Sequence, residues 1–142
     1  GTVLTVDQVD RAIAAGAQFL VSPGFNPRVV SYATSRGIPI YPGVCTPTEI
    51  EQAIELGIET VKFFPAEAMG GLATLKAVAA PYGHMRYVPT GGITPDNVAS
   101  YLAFDRVVAC GGSWMVKPSL WSGGDFAPVE QAVREAVAAI AQ

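Results

Sequence analysis

The residue with the clearest chemical potential in this chain is Lys62, which stands inside an apolar stretch. Residues 59–67 read Glu-Thr-Val-Lys-Phe-Phe-Pro-Ala-Glu, which predicts a short strand of β-branched and aromatic residues that ends at Pro65. Burial of an ammonium group costs several kcal/mol, and its pKa falls until the neutral amine is favoured. A neutral amine attacks carbonyl carbons, so Lys62 is a candidate Schiff-base lysine. The stretch alone equally allows a lysine that reaches solvent or forms an ion pair.

Two glycine-rich turns supply a second signal, which is the binding of an anion. Gly91-Gly92 and Gly111-Gly112-Ser113 follow the last two predicted strands. Glycine lets the backbone approach a ligand closely, and N–H groups at such a turn, or at the start of a short helix over 114–116, bind phosphate. Either turn alone is weak evidence, because turns use glycine routinely. Together, after the lysine strand, they favour a phosphate site.

Strands and helices alternate along the chain in the order that these residues need. Predicted strands begin near residues 2, 19, 38, 60, 86 and 106, and the helices between them have recognisable starts, such as Thr5 and the pair Thr46 and Glu49. A βα unit recurs roughly every 20 residues, which predicts an α/β fold of the (β/α)8 TIM-barrel type. Right-handed crossovers would bring the carboxyl ends of the strands to one rim, where barrel enzymes have their active sites.

The number of predicted units is smaller than such a barrel requires. About six of the eight βα units are recognisable, so we expect residues 1–142 to form one barrel domain that lacks about two units at its amino terminus. Three explanations stay open: the chain is a fragment, other chains complete the barrel, or the strand count is short.

Composition and charge exclude several classes of protein. The net charge is −3 without a basic cluster, so a nucleic-acid partner is not expected. No apolar run approaches the roughly 20 residues of a membrane span, and no leader opens the chain, which predicts a soluble cytoplasmic protein without a membrane partner. Cys45 and Cys110 lack metal-binding spacing and are expected to be buried reduced thiols. The single histidine, His84, excludes most metal sites.

Six short motifs, in order along the chain, resemble one enzyme family. The motifs are Gly1-Thr2-Val3, Val21-Ser22-Pro23, Pro42-Gly43 with Thr46-Pro47-Thr48-Glu49, Val61-Lys62-Phe63-Phe64-Pro65-Ala66-Glu67, Pro89-Thr90-Gly91-Gly92-Ile93 and Gly111-Gly112-Ser113-Trp114. Together they resemble the 2-keto-3-deoxy-6-phosphogluconate (KDPG) aldolase family, whose members are class I aldolases on a (β/α)8 barrel and are usually homotrimers.

The resemblance implies a reaction and a role for each matching residue. Members of the family cleave a phosphorylated keto-acid into pyruvate and glyceraldehyde 3-phosphate, many also accept 4-hydroxy-2-oxoglutarate, and they need no metal or other cofactor. It makes Lys62 the Schiff-base lysine, with Thr2 and Thr90 against the pyruvate half of the substrate. It gives the substrate phosphate four neighbours: Gly91, Gly92, Gly112 and Ser113.

One part of the family pattern has no counterpart in this chain. The general acid/base glutamate and an arginine for the substrate carboxylate belong to the family's first strand, which this chain does not contain. Glu67 is the first acid after Lys62 in sequence, but it follows the strand end and is interpreted as a loop or interface residue. We therefore expect this polypeptide to form the imine poorly or not at all, because proton transfer would lack its catalyst.

Three other functions compete with this one. The first is the galactonate-configured aldolase, which differs at one stereocentre that these motifs do not distinguish. The second is a phosphate-binding barrel without lyase activity, although phosphate binding alone does not need a buried lysine. The third is a noncatalytic fragment.

Overall fold

In a computed structural model, residues 2–140 form parallel strands and helices that alternate along the chain, which confirms the α/β class. Gly1 of the first motif and Ala141, the predicted end of the last helix, lie outside the described residues. No helix among residues 2–140 has the length and apolar character to cross a membrane. The helices are α1 (Val6–Ala14), α2 (Pro27–Ser35), α3 (Pro47–Glu55), α4 (Gly71–Ala79), α5 (Pro95–Leu102) and α6 (Ala127–Ile140). The strands are β1 (Leu20–Val21), β2 (Ile40–Tyr41), β3 (Gly43–Val44), β4 (Thr60–Phe63) and β5 (Arg86–Pro89).

Strand neighbours in the sheets follow the order of the chain. β1 pairs with β2, and β3, β4 and β5 pair in that order, all of them parallel. Single bridges extend these ladders, from Thr2 to Val21 at one side and from Thr90 to Gly111 at the other. All the strands therefore run in one direction, and their carboxyl ends meet at a common rim.

The prediction that the first and sixth strand segments form regular strands is wrong. Residues 2–5 and 106–110 make isolated bridges instead of continuous ladders. Each segment pairs with its neighbour at single positions, Thr2 with Val21 and Val107 with Tyr87, and not over consecutive residues as a ladder requires. The sequence pattern also missed β3: the third predicted strand, residues 38–41, ends before Pro42, which lacks an N–H donor, whereas pairing resumes at Gly43–Val44.

Two predicted helix starts are confirmed in their hydrogen bonds. Thr5 precedes α1, and its hydroxyl accepts from the N–H of Gln8 at 3.3 Å. Thr46 and Glu49 form the reciprocal capping box of α3: the N–H of Thr46 donates to the Glu49 carboxylate at 2.9 Å, and the N–H of Glu49 donates to the Thr46 hydroxyl at 3.4 Å. These contacts satisfy N–H groups that lack partners within the helix, so short local patterns determine where these helices begin.

The helices cover one face of the sheet and leave the other to the candidate site. Val61 and Phe63 of β4 are fully buried and pack against helix residues such as Leu75. Side chains alternate along a strand, so Thr60 and Lys62 lie on the opposite face. The sequence pattern suggested that Lys62 interrupts the apolar core. In the structure it belongs instead to the face that the helices do not cover.

Candidate active site

Lys62 lines a cavity of about 700 Å³ on that uncovered face. The parallel register puts Gly43 of β3 and Val88 of β5 beside it. Most of the other lining is apolar and comes from distant parts of the chain: Phe19, Val21, Tyr41 and Val108. The cavity is therefore a weakly polar space with one amine in its wall.

Burial lowers the pKa of the Lys62 ammonium below its ordinary value of 10.5. The cause is desolvation, because the apolar walls solvate a charge less well than water does. The Nζ atom also lies 4.3 Å from the centre of the Phe64 ring, a contact that favours the charged form by about 0.5–1 kcal/mol and offsets part of this effect. The net direction favours the neutral amine, which is the nucleophilic form.

This lowered pKa predicts how Lys62 reacts as pH changes. Competitive labelling with acetic anhydride, read by peptide mass spectrometry, should give a midpoint below 10.5 for Lys62. The unfolded chain binds this proton more tightly than the folded one, so the free energy of unfolding should rise with pH between the lowered pKa and 10.5. Exposed Lys76 on α4 provides the comparison in the same sample. A Lys62 midpoint at or above 10.5 would contradict the desolvated environment.

A second cavity, of about 310 Å³, adjoins the first at the carboxyl ends of the strands. Thr90 and Gly111 line both cavities, and Phe64 lines the second while its ring contacts Lys62 Nζ. The remaining lining comes from the two glycine-rich turns: Gly91, Gly92, Ile93, Gly112 and Ser113. An elongated molecule could therefore contact the amine at one end and the glycine turns at the other.

The first glycine turn has a backbone conformation that few other residues adopt. Gly91 and Gly92 have φ angles of 95° and 79°, in the left-handed region. Hydrogen bonds to this turn use its carbonyl groups: Glu67 N–H donates to Gly91 O at 3.1 Å, and Asn97 Nδ2 donates to Gly92 O at 3.0 Å. The N–H groups of Gly91 and Gly92 donate to no other described residue, so they are available to an anion.

The second turn lies against an aromatic ring and leads into the short helical turn that the sequence predicted. Trp114–Val116 form one 3-10 turn, and the Trp114 ring covers Gly112 so closely that a Cβ there would lie 1.8 Å from a ring carbon. Only glycine fits beneath the ring. Across the described chain, the N–H groups of Gly112 and Ser113 also have no acceptor. Both turns thus present backbone donors at the second cavity.

Lys62 is the one charged side chain among the described residues that line these two cavities. The walls include no histidine or carboxylate within residues 2–140, so the site has a nucleophile and anion donors but no acid or base from this part of the chain. No three His, Cys, Asp or Glu side chains of the described residues come together as metal ligands would. Cys45 and Cys110 are free thiols, half-buried instead of buried, and burial raises the pKa of Cys110 to about 11.

Most of the residues singled out from sequence lie together. Lys62 and Thr90 both line the larger cavity. Thr90 also lines the smaller cavity, together with the glycine-turn residues Gly91, Gly92, Gly112 and Ser113. Thr2 is apart from them: it is exposed and lines a different cavity of about 380 Å³ beside α1. Its proposed contact with the pyruvate half stays a prediction.

Several lining residues were missed from sequence. Thr60 and Phe64 are two positions from Lys62, so the period of a strand could have identified them as residues of the same face. Tyr41 and Val88 come from other strands and Phe19 from the residue before β1, and only the tertiary fold brings them to the cavity of Lys62. Phe19 is 54% exposed, which no local pattern indicates.

Comparison with known proteins connects this geometry to one enzyme family. The family model described as KDPG and KHG aldolase matches residues 1–132. The 2-dehydro-3-deoxy-phosphogluconate aldolase of Treponema pallidum is 59% identical over 129 residues, which are 91% of this chain and 61% of that protein. The chain spans less than two thirds of the length of the curated relatives it matches.

Two solved structures with bound ligands resemble the fold closely. The KDPG aldolase of Legionella pneumophila, with pyruvate captured as a covalent carbinolamine, has a TM-score of 0.89 at 33% identity and covers 99% of this chain and 66% of its own. The aldolase of Zymomonas mobilis with 3-phosphoglycerate has a TM-score of 0.88 at 37% identity and covers 96% of this chain and 64% of its own. One relative thus holds a keto-acid covalently and the other a phosphorylated compound.

Proposed function

The chain belongs to the family of KDPG and KHG aldolases, and on this premise we propose that it is a class I aldolase that cleaves 2-dehydro-3-deoxy-6-phosphogluconate to pyruvate and glyceraldehyde 3-phosphate. The observation that carries the proposal is Lys62, a half-buried lysine with a lowered pKa beside two turns of free N–H groups. 4-Hydroxy-2-oxoglutarate is a second proposed substrate, because the family includes KHG aldolases.

Lys62 supplies the nucleophile of the proposed reaction. Its neutral amine attacks the C2 carbonyl, and loss of water from the carbinolamine forms a protonated imine. The electron pair of the C3–C4 bond then moves toward the imine nitrogen and forms an enamine, while the C4 hydroxyl loses its proton and glyceraldehyde 3-phosphate leaves. Protonation of the enamine at C3 and hydrolysis of the imine release pyruvate and restore the amine. The apolar walls favour this cycle because desolvation lowers the pKa of Lys62 and so raises the share of neutral amine.

The two glycine turns bind the substrate phosphate in this proposal. The N–H groups of Gly91, Gly92, Gly112 and Ser113 can donate to phosphate oxygens without displacing any protein acceptor among the described residues. Thr90 lines both cavities, so its hydroxyl is suited to contact the keto-acid half near Lys62. No metal takes part in the proposed steps.

Three further parts of the proposal depend on the family resemblance. We propose that the parallel sheet belongs to an eight-stranded barrel, that the barrels form a homotrimer, and that the protein acts in the cytoplasm. We also propose that the acid/base group of the reaction lies outside residues 2–140, because no carboxylate of the described residues lines either cavity. Imine formation by this chain is then slow, since proton transfer by water replaces a positioned catalyst.

Reductive trapping tests the proposed chemistry directly. After incubation with pyruvate and sodium borohydride, we expect a reduced pyruvate adduct on Lys62, identified by peptide mass mapping. Trapping accumulates the adduct even when imine formation is slow. Exposed Lys76 is the internal control, because a nonspecific reaction would label it as well. A folded chain, verified by circular dichroism, that yields no adduct on Lys62 would falsify the proposal.

A further inference from the structure

Glu67 is held by a buried tyrosine on another element of the fold. It begins the short 3-10 turn Glu67–Met69 after β4, and its carboxylate accepts a hydrogen bond of 2.5 Å from the hydroxyl of Tyr101 on α5. Tyr101 is 1% exposed, and burial together with the contact to Glu67 raises the pKa of its hydroxyl. The tyrosine therefore remains a proton donor at neutral pH, and Glu67, although exposed, is anchored to the core.

The same segment is joined to the first glycine turn through the backbone. Ala66 N–H donates to Thr90 O at 2.8 Å, and Glu67 N–H donates to Gly91 O at 3.1 Å. Two backbone hydrogen bonds therefore connect the end of the Lys62 strand to the Thr90-Gly91 turn.

The side chain of Glu67 also lies directly on Gly92. A Cβ at Gly92 would be 2.5 Å from Glu67 Cβ and 2.6 Å from its Cγ. Asn97 on α5 meanwhile donates to Gly92 O at 3.0 Å. The turn is thus restrained by the stem of Glu67 and by Asn97, while its N–H groups remain without acceptors among residues 2–140.

From these contacts we propose that Glu67 is a positioning residue, which holds the Gly91-Gly92 turn in its anion-binding conformation at a set distance from Lys62. This role rests on the function proposed above. Glu67 does not itself bind the substrate, because it lines neither cavity and a carboxylate repels a phosphate. The Tyr101 hydroxyl keeps the carboxylate on the α5 side of the turn, and the uncharged stem restrains Gly92.

Variants of this pair should weaken phosphate recognition more than amine chemistry. In Glu67→Ala and in Tyr101→Phe, we expect inorganic phosphate to bind about tenfold more weakly, as judged by NMR shifts of the Gly91 and Gly92 amides, which is the usual scale of one hydrogen bond to a charged group. The KM for the phosphorylated keto-acid should rise by a similar factor, and the rate of pyruvate trapping at Lys62 should not change. The double variant should lose no more than Glu67→Ala alone, because that substitution already removes the acceptor of the Tyr101 hydroxyl.

Two controls separate this role from general stability. Glu67→Gln keeps an acceptor for Tyr101 and the same stem, so it should retain phosphate affinity close to that of the unchanged chain. Tyr82→Phe removes a similar hydroxyl–carboxylate bond, of 2.9 Å to Glu51, far from the turns and should have no effect. Equal losses of phosphate binding and pyruvate trapping, or unaltered phosphate binding in Glu67→Ala, would overturn the inference.

The phosphate titration also distinguishes this inference from the proposed function. A chain that binds phosphate through these amides but forms no imine would contradict the aldolase proposal and leave the role of Glu67 standing. A chain that forms the imine but shows no phosphate shifts at Gly91 and Gly92 would overturn the inference alone.

Discussion

Replacement of Lys62 by methionine is expected to lower the rate of aldol cleavage about a thousandfold or more, which corresponds to about 4 kcal/mol of lost transition-state stabilisation. Methionine has a similar length but no amine, so no imine can form and the C3–C4 bond has no electron sink. Lys62→Arg should lose as much, because a guanidinium remains protonated and is not nucleophilic. Coupled assay of pyruvate release, with the gluconate and galactonate substrates in parallel, measures the loss and also shows which configuration the chain prefers.

The loss should not come from unfolding. Lys62 faces a largely apolar cavity, and methionine removes the cost of keeping a charge there, so Lys62→Met should melt at the same temperature as the unchanged chain or higher. Lys76→Met, at an exposed position on α4, is the matched control and should keep full activity. Cleavage by Lys62→Met within tenfold of the unchanged chain would be incompatible with Schiff-base chemistry at this residue.

Gly92→Ala is expected to weaken binding of the phosphorylated substrate about thirtyfold. The φ angle of 79° costs a residue with a Cβ about 1–2 kcal/mol, and the new methyl group would overlap Glu67 Cβ at 2.5 Å. The turn must therefore shift, and a loss of about 2 kcal/mol in binding corresponds to this factor. The effect should appear in the KM of the phosphorylated keto-acid, while pyruvate trapping at Lys62 continues.

Gly83→Ala is the control for this substitution. Gly83 lies in a loop before β5, has no positive φ, and has no atom within 4 Å of an added Cβ. It should change neither substrate binding nor melting temperature appreciably. If Gly92→Ala bound the phosphorylated substrate as well as Gly83→Ala does, the first glycine turn would not be part of the phosphate site.

Several features of this protein could be read from short stretches of its sequence. The caps Thr5 and Thr46 determine where α1 and α3 begin, because their bonds join residues three positions apart. The strand around Lys62 was recognisable from its β-branched and aromatic residues, and the glycine turns from their composition. Such signals depend only on residues that are close in sequence, so they can be recognised without knowledge of the fold.

Other features depended on contacts between distant segments. Residues 106–110 have the composition of a strand but make only bridges, because pairing depends on the neighbouring segment. Glu67 was read as a loop residue, whereas its bond to Tyr101 spans 34 positions and its stem lies on Gly92. No local pattern indicates such a contact.

The sequence by itself determined the α/β class, the helix caps, the lysine and the two glycine turns, since these follow from local preference and periodicity. Only the tertiary structure decided that Lys62 lies on the sheet face opposite the core and that Thr90 joins its cavity to the glycine turns. It also placed Thr2 in the lining of a different cavity. The physical reason is register: which side chains meet across parallel strands is set by long-range pairing and by packing of the whole sheet.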